Sequence, residues 1–504
     1  MSCVPVPMST ASIRIPILHH SGYSWIAQYR DYTTARHREA TVVPWADRVV
    51  GRVGLAGLYS SAIDRPTVDT GRLNARRERM RKQHIGKVVI VGLALLNIVL
   101  WLVMLPLPAL DSLYILYFTA EVFASTAVIL IACALVLITR LAFLEPYFGG
   151  LDRMYQTHKQ LAMTAFLLLV AHFLLIPDTE VTALGKSLGV LAMVGMLILI
   201  LITIAPRVPV VSRLLHLPYH RWRISHKLLG LLFIIGVVHH VTAGPISART
   251  VPGLYMMAFA GVGVLAYGYK QILARWLEPY RPHLVERVNR LNGTCVEVVL
   301  RPAAERIHYR AGQFVFIYFA DEPDLREPHP FTVSSAPHEQ HLRLTIKGSG
   351  DWTRHLLHHL KPGAVAAVHG GFGMFHHGDG GRHQVWIAGG IGVTPFLSWV
   401  RALEGRPAVD VDFFWGVHSE EDAVFLHEFQ AVAHAHNNFR VHVRYAVREG
   451  NWSAAEIAQR AGGQLTDRFI YMCGPMGMME ALTGQFRRMG VPAGQIRYEE
   501  FNFR

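Results

Sequence analysis

The sequence predicts a multi-domain membrane protein, in which a six-helix transmembrane bundle is followed by an antiparallel β-barrel domain and a doubly wound α/β domain. Hydrophobic residues make up 51% of the 504 positions and charged residues only 17%, which is apolar for a soluble protein. Six long apolar runs lie in the N-terminal half. The C-terminal half alternates first as strands and then as strand–turn–helix units, which predicts two further domains.

Residues 1–84 are polar to mixed and have no regular period, so we expect a cytoplasmic N-terminal extension of low order. This segment has no short apolar core with a cleavage site after it and therefore does not resemble a signal peptide. Met80 stands just before the first apolar run. We expect residues 1–79 to be dispensable, or to result from a start site placed too far upstream.

Residues 85–275 contain the six apolar runs of the predicted transmembrane domain. Most of the runs reach the roughly 20 residues that a bilayer crossing requires. They cover approximately residues 88–108, 113–139, 160–177, 187–205, 228–246 and 251–272.

Lys and Arg residues are concentrated in alternate connections. Residues 72–82, before the first run, and the connections after the second and fourth runs together hold fourteen of them, whereas the other three connections hold only Lys186 and Arg249. This asymmetry predicts an inner (plasma) membrane protein with both termini in the cytoplasm. The net charge of +13 is therefore not taken as a sign of nucleic-acid binding, and we expect the basic cytoplasmic segments to contact lipid headgroups.

Two of the apolar runs carry histidines at matching depths. His158 and His172 are fourteen positions apart, and His226 lies thirteen and fourteen positions before His239 and His240. At about 1.5 Å per residue, fourteen positions separate two levels by about 21 Å. A lone histidine at such a helix end is usually a surface residue. Two facing pairs instead suit bis-imidazole ligation, which predicts two haems stacked across the membrane.

The choice between His239 and His240 stays open at this point. On an ideal helix a step of fourteen residues returns a side chain to within about 40° of the first, whereas a step of thirteen leaves it about 140° away. This geometry favours His240. A bulge or kink at Gly236 would remove the preference.

The C-terminal half contains the segments "HPFTVSS", "KGSGDWTRHL", "GGIGVTP" and "CGP" in that order. The first has an aromatic residue beside a hydroxyl, as a flavin ring requires, but also fits a strand with a polar edge. The second has glycines before a helix start whose amides can hold a pyrophosphate, or it is an ordinary capped helix. The third lies between a strand and a helix, where glycines let a dinucleotide approach the backbone. The fourth ends a strand of the same sheet.

The order of these motifs resembles the ferredoxin–NADP reductase superfamily. Together with the two histidine pairs, the chain resembles the NADPH oxidase and ferric reductase family, particularly its bacterial members, over about residues 87–504. The resemblance implies an FAD-binding barrel at residues 278–380 and an NAD(P)H-binding domain at residues 383–504. It also implies that His158 and His226 hold an inner haem b, and that His172 and His239 hold an outer one.

The same resemblance implies roles for residues of the soluble domains. Phe331 and Thr332 would contact the flavin ring, with His329 at a position that many soluble relatives fill with arginine. The remaining implied contacts are Lys347, Gly350, Asp351 and Thr353 with the FAD phosphates, Gly390, Gly392, Thr394 and Pro395 with the nicotinamide dinucleotide, Cys473 and Gly474 near its reactive ring, and Phe501 (or Phe503) over the flavin. An alternative for Cys473 is a buried core cysteine, and for Phe501 a packing residue.

One departure from the family leaves the choice between NADPH and NADH open. His418, in "WGVHSEED", stands where NADP-preferring relatives often have arginine. Arg444 or Arg448 is the candidate to compensate.

The predicted function is electron transfer from cytoplasmic NAD(P)H through FAD and two haems to an outer acceptor. The four cysteines are scattered without a CxxC pair, which disfavours iron–sulfur clusters and structural zinc. The candidate acceptors are oxygen, chelated ferric iron and a periplasmic redox partner. Two alternatives are a haem-free flavin reductase anchored by its helices, and a transporter with a regulatory redox domain.

Overall fold

The computed structural model describes residues 70–104, 112–177, 182–204, 219–278, 280–403 and 409–499. All of these belong to one compact unit, which begins at Val68. Residues 1–69, Phe501 and Phe503, for which the sequence made predictions, lie outside the described residues.

Six helices of the N-terminal half are long and apolar enough to cross a membrane, judged by length and composition. The helices of this half are α1 (Thr70–Met104), α2 (Ser112–Leu137), the short α3 (Glu145–Phe148), α4 (Leu151–Leu175), α5 (Ala183–Ile204), α6 (Tyr219–Ala243), α7 (Val251–Gly268) and the short α8 (Ala274–Leu277).

Three of these helices begin well before the apolar runs that predicted them. α1 starts at Thr70, although the sequence predicted a low-order extension as far as residue 84. α4 starts at Leu151 and α6 at Tyr219, before the predicted residues 160 and 228. Hydropathy detects only the apolar part of a helix. The Arg, Lys, Gln and Glu residues that precede this part are good helix formers, so the helix extends through them.

Small side chains lie buried within the helical bundle. α2 packs against α4 and α7, and α5 packs against α6. Ala120, Ala127 and Ala134 of α2 are buried, which lets neighbouring helix backbones approach closely. Large apolar side chains point outwards instead, and Leu174 and Leu265 are each 74% exposed.

The predicted β-barrel is present after α8. Six antiparallel strands lie in the order β4-β3-β6-β1-β2-β5, and a bridge between Val333 and Leu344 joins the two edges. Valine, leucine and isoleucine side chains from all sides fill its interior. The elements are β1 (Arg281–Arg290), β2 (Cys295–Pro302), β3 (Phe314–Phe319), β4 (His329–Thr332), β5 (Leu342–Lys347), α9 (Asp351–His359) and β6 (Val365–Phe372).

The predicted doubly wound α/β domain follows. Its five parallel strands have the order β11-β10-β7-β8-β9, so the order reverses between β7 and β10, where such sheets bind ligands. The elements are β7 (His383–Gly389), α10 (Thr394–Arg401), β8 (Asp410–Val417), α11 (Leu426–Ala435), β9 (Phe439–Tyr445), α12 (Ala446–Glu449), α13 (Ala454–Arg460), β10 (Phe469–Cys473), α14 (Met476–Arg488) and β11 (Ile496–Glu499).

Candidate functional site

The strand β4 presents the predicted flavin contacts at one edge of the barrel sheet. Phe331 pairs with Val315 of β3, and the Thr332 side chain is buried. The indole of Trp352 stacks on Phe331 with ring centroids 5.6 Å apart and on His329 at 4.4 Å. Trp352 lies within the quoted motif, but its contact with β4 was not predicted. These rings form an aromatic platform next to a hydroxyl, as an isoalloxazine requires.

The predicted phosphate contacts lie at the start of α9. The backbone N–H of Gly350 donates to the hydroxyl of Thr353 at 2.9 Å, and that hydroxyl donates to the Gly350 carbonyl oxygen at 3.0 Å. Asp351 is exposed and pairs with Arg354. The N-terminal amides of a helix attract anions because of their partial positive charge. The structure therefore brings Gly350, Asp351 and Thr353 together beside the aromatic platform.

Two loops meet where the strand order of the α/β sheet reverses. A Cβ on Gly392 would overlap the carbonyl oxygen of Cys473, and a Cβ on Gly474 would lie 2.9 Å from the Cα of Gly389. Gly390 has φ +53°, a conformation that side chains disfavour. Only glycine permits this close approach between the ends of β7 and β10. The glycine turn and the CGP segment thus form one surface.

Thr394 and Pro395 are buried at the start of α10, and the Thr394 hydroxyl donates to the Ile391 carbonyl oxygen at 3.2 Å. Cys473 is also buried. Burial raises the pKa of its thiol well above the usual range, and nearby Glu499 raises it further. The thiol is therefore neutral at physiological pH.

A small cavity lies between the barrel and the α/β domain. Lys347 of β5 and Gly390 of the glycine turn both line it. The ammonium of Lys347 lies 3.7 Å from a carboxylate oxygen of Asp422, which follows β8. One predicted FAD contact, Lys347, and one predicted dinucleotide contact, Gly390, therefore lie on the same small cavity.

The candidates for selecting between NADPH and NADH lie at or just after the ends of β8 and β9. Arg444 is nearly buried, donates to a Glu456 carboxylate oxygen at 2.7 Å and lies 4.0 Å above the Trp452 ring. Arg448 is exposed and pairs with Glu420 at 3.1 Å. His418 is also exposed. Because the guanidinium of Arg444 is already bonded to Glu456 and packed on Trp452, Arg448 is the better placed of the two arginines to bind a phosphate.

The predicted inner histidines face each other within the bundle. The rings of His158 and His226 have centroids 6.3 Å apart, with an angle of 70° between their planes. Two imidazoles that share one metal ion through bonds of about 2 Å have ring centres about 6 Å apart. Trp222 stacks on His226 at 5.2 Å. The separation therefore fits a shared iron.

Three of the four predicted ligands are oriented by backbone carbonyls of neighbouring helices. His158 and His172 of α4 bond through Nδ1 to the carbonyl oxygens of Ala134 and Ala120 in α2, each at 2.9 Å. His239 bonds in the same way to Gly185 of α5 at 2.7 Å. A carbonyl only accepts, so Nδ1 carries the proton and Nε2 keeps the lone pair that binds metal.

Glycines of α5 make room for the imidazole of His239. A Cβ on Gly189 would lie 2.7 Å from that ring. Helix α6 continues without interruption through Gly236, so the bulge considered at that position is not present. Among the described residues, no group of three or more His, Cys, Asp or Glu side chains is placed to hold a metal ion.

Comparison with known proteins identifies the C-terminal half. Residues 282–383 match the family described as FAD-binding domain, and residues 386–483 match the family described as oxidoreductase NAD-binding domain. The C-terminal half therefore consists of an FAD-binding domain followed by the NAD-binding domain of an oxidoreductase.

The flavohemoprotein of Vibrio cholerae is 26% identical over 255 residues, which cover 47% of this chain and 63% of that relative. The glycine betaine monooxygenase reductase subunit of Pseudomonas aeruginosa is 27% identical over 209 residues, covering 38% of this chain and 56% of that relative. The chain thus spans little more than half the length of these relatives. The chain is also similar to a crystal structure of the FAD/NAD-binding domain of nitric oxide dioxygenase from Vibrio cholerae, with 22% sequence identity and a TM-score of 0.37. The match covers 44% of this chain and 98% of that structure's chain.

Proposed function

We propose that this chain, whose C-terminal half is an FAD- and NAD-binding oxidoreductase module, carries electrons across a membrane. They pass from cytoplasmic NAD(P)H through FAD and two b-type haems to an acceptor on the outer side, either oxygen, giving superoxide, or ferric iron. The chain would thus act as an NAD(P)H oxidase or ferric-chelate reductase, as its resemblance to that family implies.

The observation that carries this proposal is the separation of 6.3 Å between the rings of His158 and His226. Histidines within apolar helices are costly, and a pair at metal-sharing distance explains their presence. The hydrogen bonds from Nδ1 to helix carbonyls support it, because metal-ligating histidines almost always donate their second ring nitrogen to such an acceptor. The bond from His239 to Gly185 favours His239 as the outer ligand.

The exposed apolar surface of the helices supports insertion into a membrane. Leu174 and Leu265 are among many large apolar side chains that point away from the bundle. A soluble protein rarely exposes so large an apolar surface, whereas a lipid-facing surface requires it.

The cofactors divide the chemistry because a nicotinamide delivers two electrons as a hydride, a haem iron accepts one, and a flavin does both. The chain supplies binding and orientation. Phe331 and Trp352 would hold the flavin ring, the start of α9 and Lys347 its phosphates, and the loops at Gly392 and Cys473 the nicotinamide dinucleotide. The acceptor is proposed to be small, because the outer connections are short and hold few charged residues.

An absorption spectrum of the purified membrane protein before and after addition of NADPH tests the proposal. We expect a Soret band and a flavin band, and we expect both chromophores to become reduced. A flavin band without a Soret band would instead establish a reductase that is only anchored by its helices. Substrate flux without NADPH consumption would establish a transporter. Replacement of His172 by alanine should remove about half of the haem and leave the flavin bound.

A further inference from the structure

The segment between α2 and α4, residues 138–150, contacts the β-barrel through two charged side chains, the half-buried Arg140 and the buried Glu145. We call it the inner connection. Arg140 has φ +60°, which is unusual for a residue other than glycine, so the surrounding contacts must hold it there. Glu145, at the start of α3, is only 7% exposed. A charged group that is withdrawn from water in this way requires specific partners.

Arg140 joins the barrel to the helix that carries His158. Its guanidinium lies 3.9 Å above the ring of Phe316 in β3, and its Nε donates to the hydroxyl of Tyr155 in α4 at 2.7 Å. Tyr155 lies three residues before His158 on the same helix, so both side chains share one face.

Glu145 makes a second link between the same two elements. Its Oε1 accepts a hydrogen bond from the backbone N–H of Gly373 at 2.7 Å and another from that of Leu151 at 3.1 Å. Gly373 directly follows β6, and Leu151 is the first residue of α4. Burial raises the pKa of the Glu145 carboxyl, although the two amides lower it. One carboxyl oxygen thus ties the barrel to the start of the histidine helix.

Both links reach the barrel next to the strand that carries the flavin contacts. Phe316, below Arg140, is paired with Pro330 of β4. A Cβ on Gly373 would lie 3.2 Å from the ring of Phe314, which is paired with Thr332. Phe314, Phe316 and Phe372 pack together with side chains of α1, α2 and α4 in one apolar cluster.

We propose that Arg140 and Glu145 are positioning residues that fix the flavin strand β4 relative to His158. The partners of their side chains named above, among the described residues, are neighbours of β4 on one side and residues of helix α4 on the other. Through these partners they set the distance over which electrons leave the flavin. The inference rests on the proposed function, because it concerns transfer from the flavin to the inner haem.

Replacement of Glu145 tests this role in the full-length protein. Glu145→Ala removes the acceptor for both amides, whereas Glu145→Gln retains an oxygen at the same place. Hydrogen exchange at Gly373 and Leu151 should become at least about tenfold faster in Glu145→Ala and should change by less than about threefold in Glu145→Gln. The matched control is Glu305→Ala, which removes an exposed carboxylate of the barrel.

Rapid-mixing absorbance measures the consequence for electron transfer. With NADPH, we expect flavin reduction at the wild-type rate in Glu145→Ala and Arg140→Ala, and haem reduction slowed at least about tenfold. Haem reduction at the wild-type rate in both variants would refute the positioning role. If Glu145→Ala does not accumulate, Glu145→Asp replaces it, because the shorter side chain cannot reach both amides. Wild-type exchange and haem reduction in Glu145→Asp would then refute the proposal.

The two proposals fail in different ways. A wild-type protein without a Soret band would refute the proposed function, while hydrogen exchange at Gly373 would still report on the Glu145 contact. A wild-type protein whose haem is reduced by NADPH, together with variants that behave identically, would refute only the positioning role.

Discussion

At the scale of single residues, the two adjacent histidines of α6 show that helical geometry and packing can favour different candidates. Helical geometry alone favoured His240, because it lies fourteen positions after His226. The structure instead places the ring of His239 against Gly189 and its Nδ1 on the Gly185 carbonyl oxygen. Both contacts that favour His239 come from α5. The spacing of residues along α6 contains no information about them.

Replacement of each of these histidines by alanine tests the assignment. We expect His239→Ala to lose the outer haem, so that the ratio of haem to flavin falls to about half, because only one tier of ligands would remain. His240→Ala is the matched control and should retain the wild-type ratio. The ratio is measured from the Soret and flavin absorbance of purified protein. The opposite pattern would assign the outer site to His240.

His377, outside the helical bundle, predicts a pH dependence. Burial, together with the neighbouring His376, lowers the pKa of His377 to about 4. Its ring lies 5.2 Å from Trp399 and 5.5 Å from Trp386. The unfolded chain has a histidine pKa of about 6.5, so the unfolded state binds a proton first as the pH falls. The stability that depends on neutral His377 is complete above pH 6.5 and is lost as the pH falls to 4.

His377→Gln should reduce this acid sensitivity. The shift corresponds to at most about 3 kcal/mol of unfolding free energy between the two pH values. Thermal unfolding of wild type and variant at several pH values between 7 and 4 measures it, with the exposed His434→Gln as control. Equal pH dependence in all three proteins would contradict the prediction.

At the scale of elements, the sequence was sufficient to predict the helices and the two C-terminal folds, but not their ends or contacts. Apolar runs located six helices because length and hydropathy are local properties. The polar start of α4, from Leu151, carries no hydropathy signal. The contact of Trp352 with Phe331 and that of Glu145 with Gly373 join distant parts of the chain, which a local pattern does not record. The contact of Phe501 with the flavin stays a prediction, because Phe501 lies outside the described residues.

The glycine turn after β7 is an element whose shape the sequence did predict. Gly392→Ala would place a methyl group against the Cys473 carbonyl oxygen, so the ends of β7 and β10 must move apart. We expect a loss of about 1–3 kcal/mol of unfolding free energy. We also expect slower reduction of the flavin by NADPH, while the FAD content is unchanged.

Gly484→Ala is the control for this substitution. Gly484 lies within α14, and a Cβ there would meet only the end of the Arg488 side chain at 3.7 Å. Alanine at this position should be neutral or stabilising by up to about 1 kcal/mol, because it restricts the unfolded chain. Thermal unfolding and the rate of flavin reduction are compared for both variants. A stable Gly392→Ala protein with a wild-type rate would show that the close approach is dispensable.

At the scale of the whole molecule, the proposed function requires a fixed orientation in the membrane. NADPH is a cytoplasmic reductant, so Asp351 and the rest of the reductase module must face the cytoplasm. Six helices are long and apolar enough to cross a membrane, and an even number of crossings returns the chain to the side from which it started. By the positive-inside rule, the fourteen Lys and Arg residues of segment 72–82 and of the connections after the second and fourth apolar runs predict that this side is the cytoplasm, and that Arg249 lies outside.

Labelling of single cysteines in intact bacterial cells tests this orientation. In a protein whose native cysteines are replaced by alanine, we expect an impermeant maleimide to label Arg249→Cys but not Asp351→Cys, because only the former faces outwards. Both positions are exposed in the structure, so both should react once the cells are permeabilised. That second measurement shows that each thiol is reactive. Labelling of Asp351→Cys in intact cells would place the module outside, where it would have no NADPH, and would refute transmembrane transfer from the cytoplasm.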